Sequence, residues 1–215
     1  MLKSPAIPAR RRGRQRSAEA EAAILKAAVE LLSQKPLSAV TSEAIAERAG
    51  VSKATLYKWW PNKTLVALDA FGAQLAAETT IHNTGSARQD FVLQLRDAIA
   101  FFKSSLGGML RQFLAEGQGD PEFLELFRTR FLKPRRDSIL AIWRRGVERG
   151  EVRSEADGNL VLDLIFGPMI YRLLAGHGPL DENQAEEIVE TVFRGVRKEA
   201  VGAITAEEGR DKRVS

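Results

Sequence analysis

The sequence predicts an all-α fold of about nine helices, in an N-terminal unit of short helices and a longer C-terminal helical unit. Three observations predict it. Apolar residues recur at three- and four-residue spacings through most of the chain, and no strand is predicted. Hydroxyl, Asn or Asp residues precede these stretches and Gly or Pro follows them, as helix starts and stops require. The composition, 44% hydrophobic and 28% charged over 215 residues, is that of a folded chain able to bury a core in one or two units.

Charge is unevenly divided. Residues 1–63 carry 12 Lys and Arg against 5 Asp and Glu, a net of +7, while residues 64–215 carry 20 against 23, a net of −3. A polyanionic partner is expected for the front alone. The lack of cysteine excludes a disulfide framework and a thiolate metal site, and fits a reducing cytoplasm. No apolar run reaches the about 18 residues that cross a bilayer. The longest, Leu160–Leu174, is broken by Asp163, Pro168 and Arg172. The basic N-terminus has no apolar segment of the secretory kind. A cytoplasmic protein without a membrane partner is expected.

Residues 1–16 hold Arg10, Arg11, Arg12, Arg14 and Arg16 with prolines at 5 and 8, and read as a disordered basic arm. The first helix is expected over 17–34, capped by Ser17, with Ile24, Leu25, Ala28, Val29, Leu31 and Leu32 as its apolar stripe; Lys35-Pro36 ends it. Leu37 and Val40 should plug the small core from the following loop. Thr41 then caps a second helix, with Glu43 in its first turn where the dipole favours a carboxylate. Gly50 stands where a helix ends in a left-handed residue. Ser52 caps a third helix, Lys53 to about Trp59, and Pro61 stops it. Helices this short are not stable alone. Packed at a steep angle they form a helix-turn-helix, whose second member fits a DNA major groove.

Lys53 and Lys63 both fall at the first position of a helix, after Ser52 and Asn62. A cation there opposes the helix dipole by a few tenths of a kcal/mol. A bound phosphate would reverse that sign; the alternative is two solvated lysines whose stems cover apolar surface. Lys53, Ala54 and Thr55 are expected near base edges, with Ser52 on the same helix, and Thr41, Ser42, Tyr57, Lys58 and Lys63 on phosphates. Leu56 should face inward, and Trp59 or Trp60 should pack. The arm, with Arg12 and Arg14, either follows a groove or is a solvated tail that raises the on-rate.

The run Thr41, Ile45, Ala46, Ala49, Gly50, Val51, Ser52, Thr55, Leu56, Tyr57 and Lys63 resembles the DNA-binding domain of the TetR (tetracycline-repressor) family of transcriptional regulators. The resemblance covers about residues 17–77. It departs at Trp60, where phenylalanine is commoner, and at Thr64, where glutamate is commoner. The stretch Arg144–Leu180 is similar, less specifically, to a class of C-terminal domain of such regulators. The resemblance implies a two-domain homodimer with DNA binding in 17–77 and regulation and dimerisation in 78–202, followed by a polar tail at 203–215.

The fourth helix, from Lys63 to about Thr80, would link the two domains mechanically. A break at 82–86 precedes a helix over 87–106. Gly107-Gly108 should interrupt it before a shorter helix, Met109 to about Glu116. Asp120-Pro121 starts another, reaching Arg149 with a kink or break at Pro134. The last two are read over about 157–175, apolar nearly all round, and 181–200. Their apolar surface exceeds what one protomer can bury, so a two-fold four-helix interface is expected. Leu160, Leu164, Ile188, Val189, Val192, Phe193 and Val196 are its candidates. The family's effector pocket lies within the C-terminal helices. Phe102, Met109, Phe113, Phe127, Trp143, Phe166, Met169 and Tyr171 are the large side chains available for it, with the core as the first alternative for each; a pocket they lined would favour a hydrophobic or aromatic ligand.

Catalytic chemistry is not in evidence. His82 and His177 lack a second ligand at helical spacing, so no metal is expected. No phosphate-cradling loop, Ser-His-Asp order or cofactor motif is present. The expectation is a DNA-binding regulator, most simply a repressor released from operator DNA by a small molecule. The alternatives are a regulator or architectural module with no effector, and an activator.

Overall fold

Hydroxyl, Asn and Asp caps set most of the helix starts. The computed structural model describes residues 10–197, with side chains from Ser17 onward. Helix α1 is Arg10–Leu32, a 3-10 turn follows at Leu37–Ala39, and α2 is Ser42–Arg48, α3 Lys53–Tyr57 and α4 Lys63–Glu78. The Thr41, Ser52 and Asn62 side chains accept from the backbone N–H of Ala44, Thr55 and Leu65, as their positions predict. Gly50 is left-handed, φ 67°. Helix α1 starts seven residues before the expected Ser17 cap, and Ser17 lies inside it. The physical reason is propagation: Arg and Gln are good helix formers, and extending a formed helix costs far less than starting one. Residues 1–9 and 198–215, including the expected tail, lie outside the described residues.

The body comprises α5 Ala87–Lys103, α6 Ser105–Gly119, α7 Pro121–Leu126, α8 Lys133–Glu148, α9 Gly158–Ala175 and α10 Gln184–Val196. A π-helical segment, Phe127–Leu132, joins α7 to α8 without leaving helical backbone. The three run on as one rod, so the described residues form nine rods. The disturbance expected at Pro134 is this widened turn just upstream. A proline without an N–H cannot close the regular bond to residue 130, and its ring crowds that carbonyl. The expected break at Gly107-Gly108 falls instead at Ser104, which caps α6. Gly107 lies inside α6 because the chain doubles back there: a Cβ would stand 1.9 Å from the Phe102 carbonyl oxygen.

Helix α4 is the spine. Its N-terminal half packs on α1 with Val66, Ala67 and Ala70 buried, and its C-terminal half meets the π segment and α5. Phe71 is fully buried among Phe101, Phe102, Phe113 and Phe131, with the Phe131 ring 4.9 Å away. One apolar core therefore runs from the helix-turn-helix into the body.

Candidate functional site

The outer face of α3 is built by two caps and one inward anchor. Leu56 is fully buried and fixes the helix on α2, which turns Lys53, Ala54, Tyr57 and Lys58 to solvent. The Ser52 and Thr55 hydroxyls lie 2.9 Å apart and share a hydrogen bond. Lys53 Nζ is 2.7 Å from Glu43 of α2. That lysine, with the backbone and Thr41, holds the Glu43 carboxyl below its ordinary pKa. The cation at the start of α3 thus answers the helix dipole by pairing with a carboxylate.

Lys63 does something else. Its ammonium donates to the carbonyls of Leu37 (2.9 Å), Ser38 (3.2 Å) and Val40 (2.8 Å). All three donors of the ammonium are used, so the expected phosphate contact is corrected: Lys63 clamps the loop before α2. The backbone N–H of Leu37 donates to Gln112 of α6, tying the same loop to the body. Ser42 is buried, so its side chain also leaves the expected phosphate set. Trp60 packs, as expected, and its indole N–H donates to Asp69 of α4 at 2.8 Å.

Asp69 has a second partner. Arg130 of the π segment lies 3.1 Å from the same carboxylate oxygen that Trp60 uses. One carboxylate therefore joins the end of the recognition element, α4 and the body. Nearby, the loop after α4 is held by a polar cluster around buried Asp90. Asp90 accepts from the Thr84 N–H (2.6 Å) and hydroxyl (2.8 Å), and Arg145 donates to the His82 carbonyl (2.5 Å). His82 is 2.8 Å from Asp97.

The body forms a partly open cavity of about 340 Å³ between α4, α5, α6, the π segment, α8 and α9. Leu75 of α4 closes one side, and Phe127, Phe131 and Leu132 of the π segment close another. The walls are almost wholly carbon, with Arg135, Arg136 and Asp163 as the charged exceptions. Arg136 pairs with Asp163. Arg135 meets fully buried Gln94, whose amide satisfies both neighbours when its oxygen accepts from Arg135 (2.9 Å) and its nitrogen donates to the Thr80 carbonyl (3.0 Å). Burial pulls the Arg135 guanidinium below its ordinary pKa, and Asp97 acts weakly the other way.

Residues 81–192 match the family model for the tetracyclin repressor-like C-terminal domain, and residues 24–69 match that for bacterial regulatory proteins of the tetR family. The chain belongs to the TetR family. It is 38% identical over 187 residues to the uncharacterized HTH-type transcriptional regulator YdeS of Bacillus subtilis, covering 87% of this chain and 94% of that one. It is 28% identical over 189 residues to the DNA-binding transcriptional repressor TetR of Mycobacteroides abscessus, covering 85% and 94%. Among solved structures, the TetR family transcription regulator SCO0332 superposes with a TM-score of 0.74 at 30% identity, over 84% of this chain and all of that one. This TetR-family protein is thus a DNA-binding transcriptional regulator, and its relatives are regulators rather than enzymes.

In this TetR-family chain four of the eight expected pocket residues reach the cavity: Phe102, Phe127, Phe166 and Met169. The other four are corrected. Met109 and Phe113 are fully buried in the core, Trp143 packs on Gly158, and Tyr171 is 65% exposed against His177. A side chain's size says that it is buried and nothing of which void it faces. Arg135, Arg136 and Leu75 were not foreseen; an arginine next to Pro134 within an aromatic stretch was the available signal. Of the expected interface residues, Leu160 (56%) and Leu164 (50%) are exposed, and Ile188 and Val192 are half-buried. Val189, Phe193 and Val196 are corrected: they are buried in their own protomer, with Phe193 6.0 Å from Phe91. The side chains of Arg12 and Arg14 lie outside the described ones.

Proposed function

We propose that this regulator is a cytoplasmic repressor. As a homodimer it holds a palindromic operator and leaves it when a small apolar ligand fills the cavity. The observation that carries the reading is the continuity of cavity and DNA head. The π segment that walls the cavity is the same one whose Arg130 grips Asp69, the partner of Trp60 beyond α3. A ligand that favours one arrangement of that segment would shift α4 and hence the spacing of the two heads.

The division into a DNA head over 17–77 and a regulatory body over 78–202 supports this reading, with α4 as the lever. Lys53, Ala54 and Thr55 would read base edges, and Thr41, Tyr57 and Lys58 would meet phosphates, with Arg12 and Arg14 adding charge. Two recognition helices would sit about 34–36 Å apart on the operator. The dimer face would be α9 with Leu160, Leu164, Tyr171 and Leu174, and the edge of α10 with Ile188 and Val192. The exposed residues of α9 share one stripe, opposite buried Leu162, Ile165 and Met169. A filled body core would favour a regulator without an effector; the cavity favours a liganded one.

Selection of bound DNA from a random pool, followed by anisotropy titration with apolar compounds, tests the proposal. Recovery of an inverted repeat that one compound releases supports it. A selected site without two-fold symmetry, or occupancy that no cavity-binding compound changes, overturns it.

A further inference from the structure

Three charged side chains border an otherwise apolar cavity. Arg136 and Asp163 neutralise each other. Arg135 is different: its hydrogen-bond partner is the neutral amide of Gln94. The carboxylate nearest in effect, Asp97, is turned to His82 at 2.8 Å. No Asp or Glu among the described residues lies within ion-pair distance of Arg135. A guanidinium stays charged at neutral pH and carries five N–H donors in a fixed fork, so most of its donor capacity is unused here. An anion in the cavity would take up those donors and supply a charge that the Gln94 amide does not.

We infer that the cavity takes an apolar molecule ending in a single carboxylate, held by Arg135. The inference rests on the reading of the cavity as the effector site. The apolar body would fill the space between Phe127, Phe131 and Met169, and the carboxylate would accept two parallel bonds from the guanidinium fork. Arg135 is the one wall charge without a carboxylate partner among the described residues, so a single negative charge on the ligand matches it. The volume, about 340 Å³, stands at the small end of the about 300–1,000 Å³ range of ligand sites, so a short chain or small ring system is the fitting size. The desolvation that already pulls Arg135 below its ordinary pKa is what such an anion would offset.

The charged end also meets a brace on the loop after α4. Gln94 links Arg135 to the Thr80 carbonyl, immediately after α4. A carboxylate that draws the guanidinium from Gln94 loosens that link, whereas a neutral analogue of the same shape leaves it in place.

The test is calorimetric titration of the full-length protein with octanoate and with 1-octanol, in wild type and in Arg135→Met. Wild type should bind octanoate at least about tenfold tighter than octanol, as expected for a charge-assisted bond in a largely apolar site. Arg135→Met should bind octanol as before, which reports an intact cavity, and should lose the preference for octanoate. Arg135→Gln serves if the methionine variant does not fold, with the same loss expected. Equal affinity for the two compounds in wild type, or a preference that survives the substitution, overturns the inference and leaves the apolar pocket standing. Binding of neither compound overturns the pocket reading together with it.

Discussion

Two lysines at equivalent positions of neighbouring helices have opposite duties. Lys63 is spent on three backbone carbonyls of the loop before α2. Lys63→Met should therefore destabilise the head by about 1–3 kcal/mol, read as a lower unfolding midpoint before any effect on DNA is considered. Lys53 keeps its ammonium at the surface, held by Glu43. Lys53→Ala should abolish specific DNA binding with the fold unchanged by circular dichroism; retained affinity would remove α3 from the interface. Glu43→Gln should act in the other direction. It releases Lys53 and removes a negative charge from the contact face, so affinity should rise by a small factor, about two- to five-fold at low salt, and the gain should fade as salt increases. Because Lys53 lowers the Glu43 pKa, the pair persists at and above the ordinary carboxylate range and is lost as pH falls through the lowered value. The advantage of Glu43→Gln over wild type should shrink correspondingly in acid.

At the scale of elements, the π segment is the part with two faces. Phe127, Phe131 and Leu132 wall the cavity, and Arg130 and Phe131 hold α4. A widened turn has a near alternative, the regular α-turn, which makes it a natural place for two arrangements. Arg130→Met should leave ligand affinity near the wild-type value and weaken the ligand's effect on DNA. If release from DNA is unchanged, the coupling runs elsewhere, through Gln112 and the Leu37 loop or through Gln94 and Thr80. The α5–α6 corner has no such latitude. Gly107→Ala places a Cβ against the Phe102 carbonyl and should cost about 2–3 kcal/mol, a fall in melting temperature of roughly 5–10 °C.

For the whole molecule, the proposed dimer would decide function, because on a two-fold operator one head would read only half the site. Among the described residues, helix α9 alone has the length and mean hydropathy, 1.3 over 18 residues, of a bilayer-crossing helix. Here one side of it is packed in the body and the other carries the exposed Leu160, Leu164, Tyr171 and Leu174 stripe, which a second copy of the chain would cover in the proposed dimer. Leu164→Glu should yield monomers at micromolar concentration by light scattering and lose binding to a two-fold site. Phe193→Glu should instead unfold the protomer, since that ring is buried against Phe91 within the chain.

The sequence by itself determined the helical fold, the caps at Thr41, Ser52 and Asn62, the family, and the outward residues of α3. These depend on neighbours within a turn or two, where spacing and side-chain chemistry act directly. Only the tertiary structure decided what Lys63 holds, which aromatics line the cavity rather than the core, and which side of α10 is buried in the protomer. It also brought Trp60, Asp69 and Arg130 to one point, and left Arg135 beside an apolar void with a neutral partner. Such facts depend on contacts between residues tens of positions apart, and helical periodicity fixes a residue's face without fixing what that face meets.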